Sequence, residues 1–201
     1  KDSMKNDYGT GPDKISIPPT LLFSLFGDHP DVRKTATSDF KSVGDRIYLV
    51  GTSHQELGAS ELAYMMSESG DAHGIGGQVP QLPHPEQNLS TYRALAAAVR
   101  NGTVRTAHDC SEGGVAVALA EMCIGGRLGA SVDIDGTGEG DVWGRLWGES
   151  LGRFVVAVSP ENEAQFLASM KGHPTTVLGA VSDSSFLEVS DGDDVLIQMD
   201  V

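Results

Sequence analysis

Apolar residues recur along this chain with two periods, and both switch on near residue 31. Residues 46–52 and 154–159 are short, mostly apolar runs that predict strands. Residues 57–69 carry helical spacing, with Leu57, Ser60 and Glu61, Tyr64 and Met65 on successive turns. An alanine-rich helix is predicted from Pro85 to Arg100, stopped by Asn101-Gly102. A strand at 103–107, a helix at 113–124 and a strand at 128–134 follow. Gly136 to Gly140 then forms a turn before a short helix at 143–147. A helix at 160–170 opens on Pro160, a strand spans 175–181, and 186–189 with 195–199 form a hairpin around Asp191-Gly192-Asp193. Strands and helices alternate, which predicts an α/β domain built as a layered sheet with helices.

Residues 1–31 read differently. Asn6 to Pro12 is turn chemistry, and residues 14–18 and 20–27 are extended and mostly apolar. Such a strand cannot bury both faces alone, so it is expected to pair with absent sequence or with another chain. The segment 70–85, dense in glycine and proline, is expected to be a long loop.

The chemistry concentrates in His108-Asp109-Cys110-Ser111-Glu112-Gly113-Gly114, which closes a strand and opens an Ala-rich helix. A helix N-terminus with unpaired N–H groups suits a phosphate, and Asp109 beside it suits a magnesium ion. The plainer reading is that Asp109 or Ser111 caps the helix while the glycines permit tight packing. A formal charge of −14 argues against a general nucleic-acid or anionic-membrane surface. Two cysteines, Cys110 and Cys123, make no disulfide framework and no zinc pattern. No apolar run approaches membrane-span length, and a cytoplasmic protein fits best. His29, His54, His73, His84 and His173 are scattered in turns without metal spacing.

His-Asp-x-Ser-Glu-Gly-Gly followed by a small-residue helix resembles the phosphoribosylformylglycinamidine synthases, ATP-dependent amidotransferases of purine biosynthesis. Further blocks fit in the same order: Lys1-Asp2-Ser3-Met4, Pro18 to Leu22, Pro30 to Lys34, Gly44 to Gly51, Glu56 to Glu61, and Trp147 to Val156. The resemblance implies a three-layer α/β/α domain like the C-terminal domain of aminoimidazole ribonucleotide synthase (residues 32–201). Residues 1–31 would be a strand remnant of the preceding N-terminal-type subdomain. It implies a piece of a longer polypeptide, inactive alone, whose partners are the missing first half and a glutaminase domain or subunit supplying ammonia.

In that family ATP activates the amide of formylglycinamide ribonucleotide, and ammonia displaces phosphate. Carried over, Asp109 is a magnesium ligand, Ser111 an ATP or ADP contact, and Gly113 and Gly114 supply backbone N–H groups, at an auxiliary nucleotide site rather than a catalytic one. Ser3 matches a substrate-contacting serine. Lys1 stands where a metal-binding asparagine is found, and an ammonium has no lone pair for a metal. Glu149-Ser150-Leu151 resembles a Glu-Ser-Gln substrate element, but Leu151 removes the amide, so Glu149 is expected to pair with Arg153 instead. His108 reads as a hydrogen-bonded structural group. Two other readings remain: another ATP-using enzyme of the same superfamily, and a non-catalytic nucleotide-binding or scaffolding domain.

Overall fold

A computed structural model describes residues 2–4, 7–16, 20–29, 31–69 and 76–201, with backbone only for 2–4, 20 and 21. The chain divides into two compact units, Lys1–Val32 and Arg33–Val201. In the first, β1 (Asp2–Met4) pairs antiparallel with β4 (Thr20–Leu22), and β2 (Asp7–Tyr8) with β3 (Ile15–Ser16). Asp7 closes the β2–β3 turn by accepting from Ser16 Oγ at 2.7 Å and pairing with Lys14 Nζ at 2.8 Å. The apolar run expected as one strand over 20–27 is therefore a strand only to Leu22, and it finds its partner within the unit. Beyond it Leu25 and Phe26 are almost fully exposed, at 93% and 99%.

The second unit contains β5 (Arg46–Val50), α1 (Glu61–Glu68), α2 (Pro85–Arg100), β6 (Thr106–Asp109), α3 (Gly114–Gly126), β7 (Gly129–Asp133) and α4 (Val142–Trp147). It continues with β8 (Phe154–Val158), α5 (Glu163–Ser169), β9 (Thr175–Ser182), β10 (Phe186–Asp191) and β11 (Asp194–Asp200). Seven strands form one sheet in the order β11-β10-β7-β9-β5-β8-β6, antiparallel except for β7 with β10.

The unbroken apolar strands lie inside this sheet because both of their faces are covered. Ile47 and Leu49 of β5, with Val155 and Ala157 of β8, pack in one cluster with Val115, Leu119 and Met122 of α3. The alternate residues Tyr48, Val50, Val156 and Val158 pack in the other with Leu95 and Ala98 of α2 and Phe166 of α5. The result is the three-layer α/β/α domain that the family resemblance implies, built on the layered sheet that the alternation of elements predicts.

Local differences have physical reasons. β6 sits three residues later than expected because its register runs from Thr106 opposite Ala157 to Asp109 opposite Phe154. The residues before it finish α2 instead: Val104 N–H donates to Ala98 O, and Asn101 Oδ1 accepts from Thr103. The shift delivers Asp109 to the end of an edge strand. α1 starts only at Glu61, because the Ser60 hydroxyl caps it by accepting from Ala63 N–H at 3.2 Å. Leu57 is buried before the helix, while Tyr64 and Met65 are exposed, so the expected helical face is not a core face. Pro160–Asn162 forms a 3-10 turn ahead of α5. Among the described residues no helix is long and apolar enough to cross a membrane.

Candidate functional site: the strand–loop–helix junction at Asp109

Asp109 ends β6 with its side chain 65% exposed. The Ser111 hydroxyl donates to its Oδ2 at 2.5 Å, and this bond chiefly holds the carboxyl below its ordinary value of 3.8. Both oxygens retain free lone pairs, a donor set that fits a hard cation bound by one carboxylate with phosphate and water completing the shell. Among the described residues no group of three or more His, Cys, Asp or Glu could hold a metal by itself. His108 is engaged structurally: Nδ1 lies 2.8 Å from Asp109 O and Nε2 3.0 Å from Glu121 Oε2 on α3.

The helix behind the loop is capped neither by Asp109 nor by Ser111. Its N-cap is Gly113, left-handed at φ 76°, with no side-chain cap of its own. The cap comes from far along the chain: Gly113 N–H donates to Glu149 Oε1 at 3.0 Å. The same oxygen accepts from Glu61 N–H at 2.8 Å, so one carboxylate oxygen serves the first turns of α1 and α3 together. Gly114 N–H donates to Ser111 O at 3.0 Å. The N–H groups of Gly113 and Gly114 are thus engaged within the fold, while among the described residues nothing accepts from those of Ser111 and Glu112. Gly114 also permits a close approach: a Cβ there would lie 2.5 Å from Gly148 O and 2.7 Å from Leu146 O.

The expected Glu149–Arg153 ion pair is not made. Arg153 is 1% exposed and donates from Nε to Ser150 O (3.0 Å), from Nη1 to Ser53 Oγ (2.8 Å) and from Nη2 to Gly148 O. Burial lowers its proton affinity, and Cys110, Glu56 and Glu149 oppose that effect. The guanidinium fork fills the carbonyls of a tight strap, and the carboxylate serves backbone amides instead. Ser150 is part of the same strap, its Oγ accepting from His54 N–H at 3.0 Å. These residues hold structure rather than present a substrate surface. Arg145 forms a bidentate ion pair with Asp191, at 2.8 and 2.5 Å.

Cys110 lies in the loop but is buried, and burial pushes its thiol up to about 11; Cys123 rises to about 12 for the same reason. Neither forms appreciable thiolate at neutral pH. In the native protein both should resist iodoacetamide over hours and be alkylated within minutes in urea, as mass spectrometry would read; rapid native labelling of Cys110 would contradict its burial.

Of the other residues singled out in sequence, Lys1 lies outside the described residues, as does the Ser3 side chain; the Ser3 backbone pairs opposite Leu21. His54 and His84 come together at a cavity of about 180 Å³ beside Leu151 and Gly152, a meeting that turn composition could not reveal. A larger cavity of about 620 Å³ adjoins it across His54, Gln81 and Pro83.

Residues 42–192 match the model of a family described as AIR synthase related protein, C-terminal domain. The fold is shared with Thermotoga maritima PurL complexed with ATP (21% identity, TM-score 0.65, 84% of this chain and 27% of that one). It is shared with the same protein complexed with FGAR (22% identity, TM-score 0.70, 84% and 29%). Escherichia coli HypE, a hydrogenase maturation protein, also matches (16% identity, TM-score 0.57, 83% and 52%). The chain spans less than a third of the two PurL chains and about half of HypE. With well over half of its length matched by the family model, this chain belongs to the AIR synthase related proteins, through their C-terminal domain.

Proposed function

We propose that this chain is part of a phosphoribosylformylglycinamidine synthase, the ATP-dependent ligase that converts formylglycinamide ribonucleotide to its amidine, and that it holds a magnesium–nucleotide site at Asp109. The observation that carries the reading is the exposed Asp109 carboxylate, paired with the Ser111 hydroxyl at the mouth of α3. Its support from relatives is the fold shared with Thermotoga maritima PurL complexed with ATP, ADP and FGAR.

Asp109 would hold the ion, and bound magnesium would neutralise phosphate charge. Ser111 contributes its hydroxyl and its free N–H. Gly113 and Gly114 shape the turn that brings the phosphate-side backbone close; their own N–H groups become available to a phosphate only where it displaces Glu149 Oε1 or Ser111 O. Ser3 is proposed as a substrate contact within a remnant spanning residues 1–31, ahead of the domain at 32–201. The partners proposed are the rest of the synthase and a cytoplasmic glutaminase domain or subunit that supplies ammonia, and the chain alone is proposed to be inactive. A second reading, a non-catalytic nucleotide-binding or scaffolding domain, is favoured in its scaffolding form by one observation: Glu149 already occupies the anion position at the helix N-terminus.

Calorimetric titration with Mg-ATP and Mg-ADP tests the site, on this chain and on the full-length polypeptide. Asp109→Asn should weaken binding roughly tenfold or more, since even partners of metal ligands cost that much when changed. An affinity equal to that of the parent would remove Asp109 from the site. Turnover at full length with this site emptied would assign it an auxiliary role.

A further inference from the structure

Among the described residues β10 is the only strand bonded to β11, so the seven-stranded sheet ends there on an open edge. Val201 N–H donates to Ser185 O at 2.9 Å, continuing a ladder that sets Asp200 opposite Phe186 and Gln198 opposite Glu188. Hydrogen-bonded pairs alternate in an antiparallel ladder, so the N–H and C=O groups of Gln198 and Asp200 point away from β10. The strand carries no proline, lysine or arginine, the residues that commonly blunt such an edge.

Beside this edge lies an apolar groove of about 250 Å³, walled by Val142, Trp143, Leu146 and Trp147 of α4 with Leu196 and Ile197 of β11. It is smaller than ordinary small-molecule sites and suits an inserted apolar side chain. Trp143 is 47% exposed and Leu196 38%, so apolar surface meets water next to open backbone groups. An extended segment satisfies both demands at once: its main chain bonds the edge, and an alternate side chain enters the groove.

Charge selects the kind of segment. Residues 139–147 and 186–201, which build the groove and the edge, contain seven Asp and Glu, no His, and one basic residue, Arg145. Arg145 is committed to Asp191 through both Nη atoms. Asp141, the cap of α4, is held ionised, since the bond from Gly144 N–H keeps its carboxyl below the ordinary 3.8. A second copy of this chain would bring the same carboxylates to the contact, which opposes self-pairing.

We propose that β11 and the α4 groove form a docking site for an extended segment of a partner protein, one in which lysine or arginine alternates with apolar residues. The proposal does not depend on the Asp109 site, and the two can fail separately.

The two tryptophans of the chain, Trp143 and Trp147, both line the groove, so their fluorescence reports its occupancy. The test titrates the whole chain with the heptapeptide Lys-Val-Lys-Leu-Lys-Val-Lys, capped at both ends, against a counterpart with glutamate at every lysine position. We expect a saturable blue shift below about 1 mM with the lysine peptide, the weak end of specific binding, and none with the glutamate peptide. Leu196→Lys should weaken binding roughly tenfold or more, through lost apolar contact and added repulsion. Gln198→Pro removes an N–H that faces the open edge and no ladder bond, so binding should weaken several-fold with the fold intact, as strand addition requires. Should that variant not fold, Leu196→Lys decides the matter. The proposal is overturned by a response that does not saturate, by an equal response to the two peptides, or by unchanged affinity in the folded variants. A concentration-dependent dimer that shields the tryptophans without peptide would overturn it as well, by giving the groove to a second copy.

Discussion

Replacing Arg153 with Met should lower folding stability by about 3–5 kcal/mol, the range for removing one member of a buried charged network. The loss is not that of one contact. Three acceptors on two segments, Ser53 Oγ on one and Gly148 O and Ser150 O on the other, would lose the donors that allow them to be buried. Glu56 and Glu149, whose charges act on Arg153, would each lose that nearby positive charge. Urea unfolding should show a lower midpoint at unchanged slope. Arg153→Lys should recover only part of the loss, since an ammonium cannot reach three divergent acceptors as a planar fork does. A change under about 1 kcal/mol for Arg153→Met would mean that the strap is held by its backbone bonds alone.

Gly114→Ala should cost about 2–5 kcal/mol by two separable effects. A left-handed backbone, here φ 63°, costs about 1–2 kcal/mol for a residue with a Cβ. The added methyl also meets the Gly148 and Leu146 carbonyls, backbone atoms that cannot swing aside, and overpacking of this kind costs about 1–3 kcal/mol more. Gly102 supplies the control. It is left-handed at φ 81° but has open space where a Cβ would go, so Gly102→Ala should show the backbone effect alone. Equal losses at the two positions would show that the close approach of α3 to the end of α4 does not constrain residue 114.

The layered sheet is legible in the chain because its signals are local. The runs Arg46–Val50 and Phe154–Val158 are apolar without alternation, and only burial on both faces accounts for that. α2 is bounded as read because Pro85 and Asn101-Gly102 act on their own backbone. The β10–β11 hairpin follows from Gly192 at its turn. The Asp109 loop is likewise visible as a motif, since strand end, hydroxyl, glycine pair and helix are consecutive. α1 shows the limit of periodicity: Leu57, Tyr64 and Met65 share a helical spacing, but the helix begins after the first and exposes the other two.

What the linear order of residues dictates is therefore which segments can be strands or helices, which faces can be buried, and where a phosphate-type motif falls. What only the folded chain decides is which donor meets which acceptor. Glu149 caps α3 from 36 residues away and α1 from 88, and Arg153 reaches Ser53 across 100. Those partnerships took the Gly113 and Gly114 amides into the fold and withheld Arg153 from Glu149. The reason is physical: hydrophobic patterning is additive and written in near neighbours, whereas each hydrogen-bond donor is shared out once, among groups that meet only when the sheet closes.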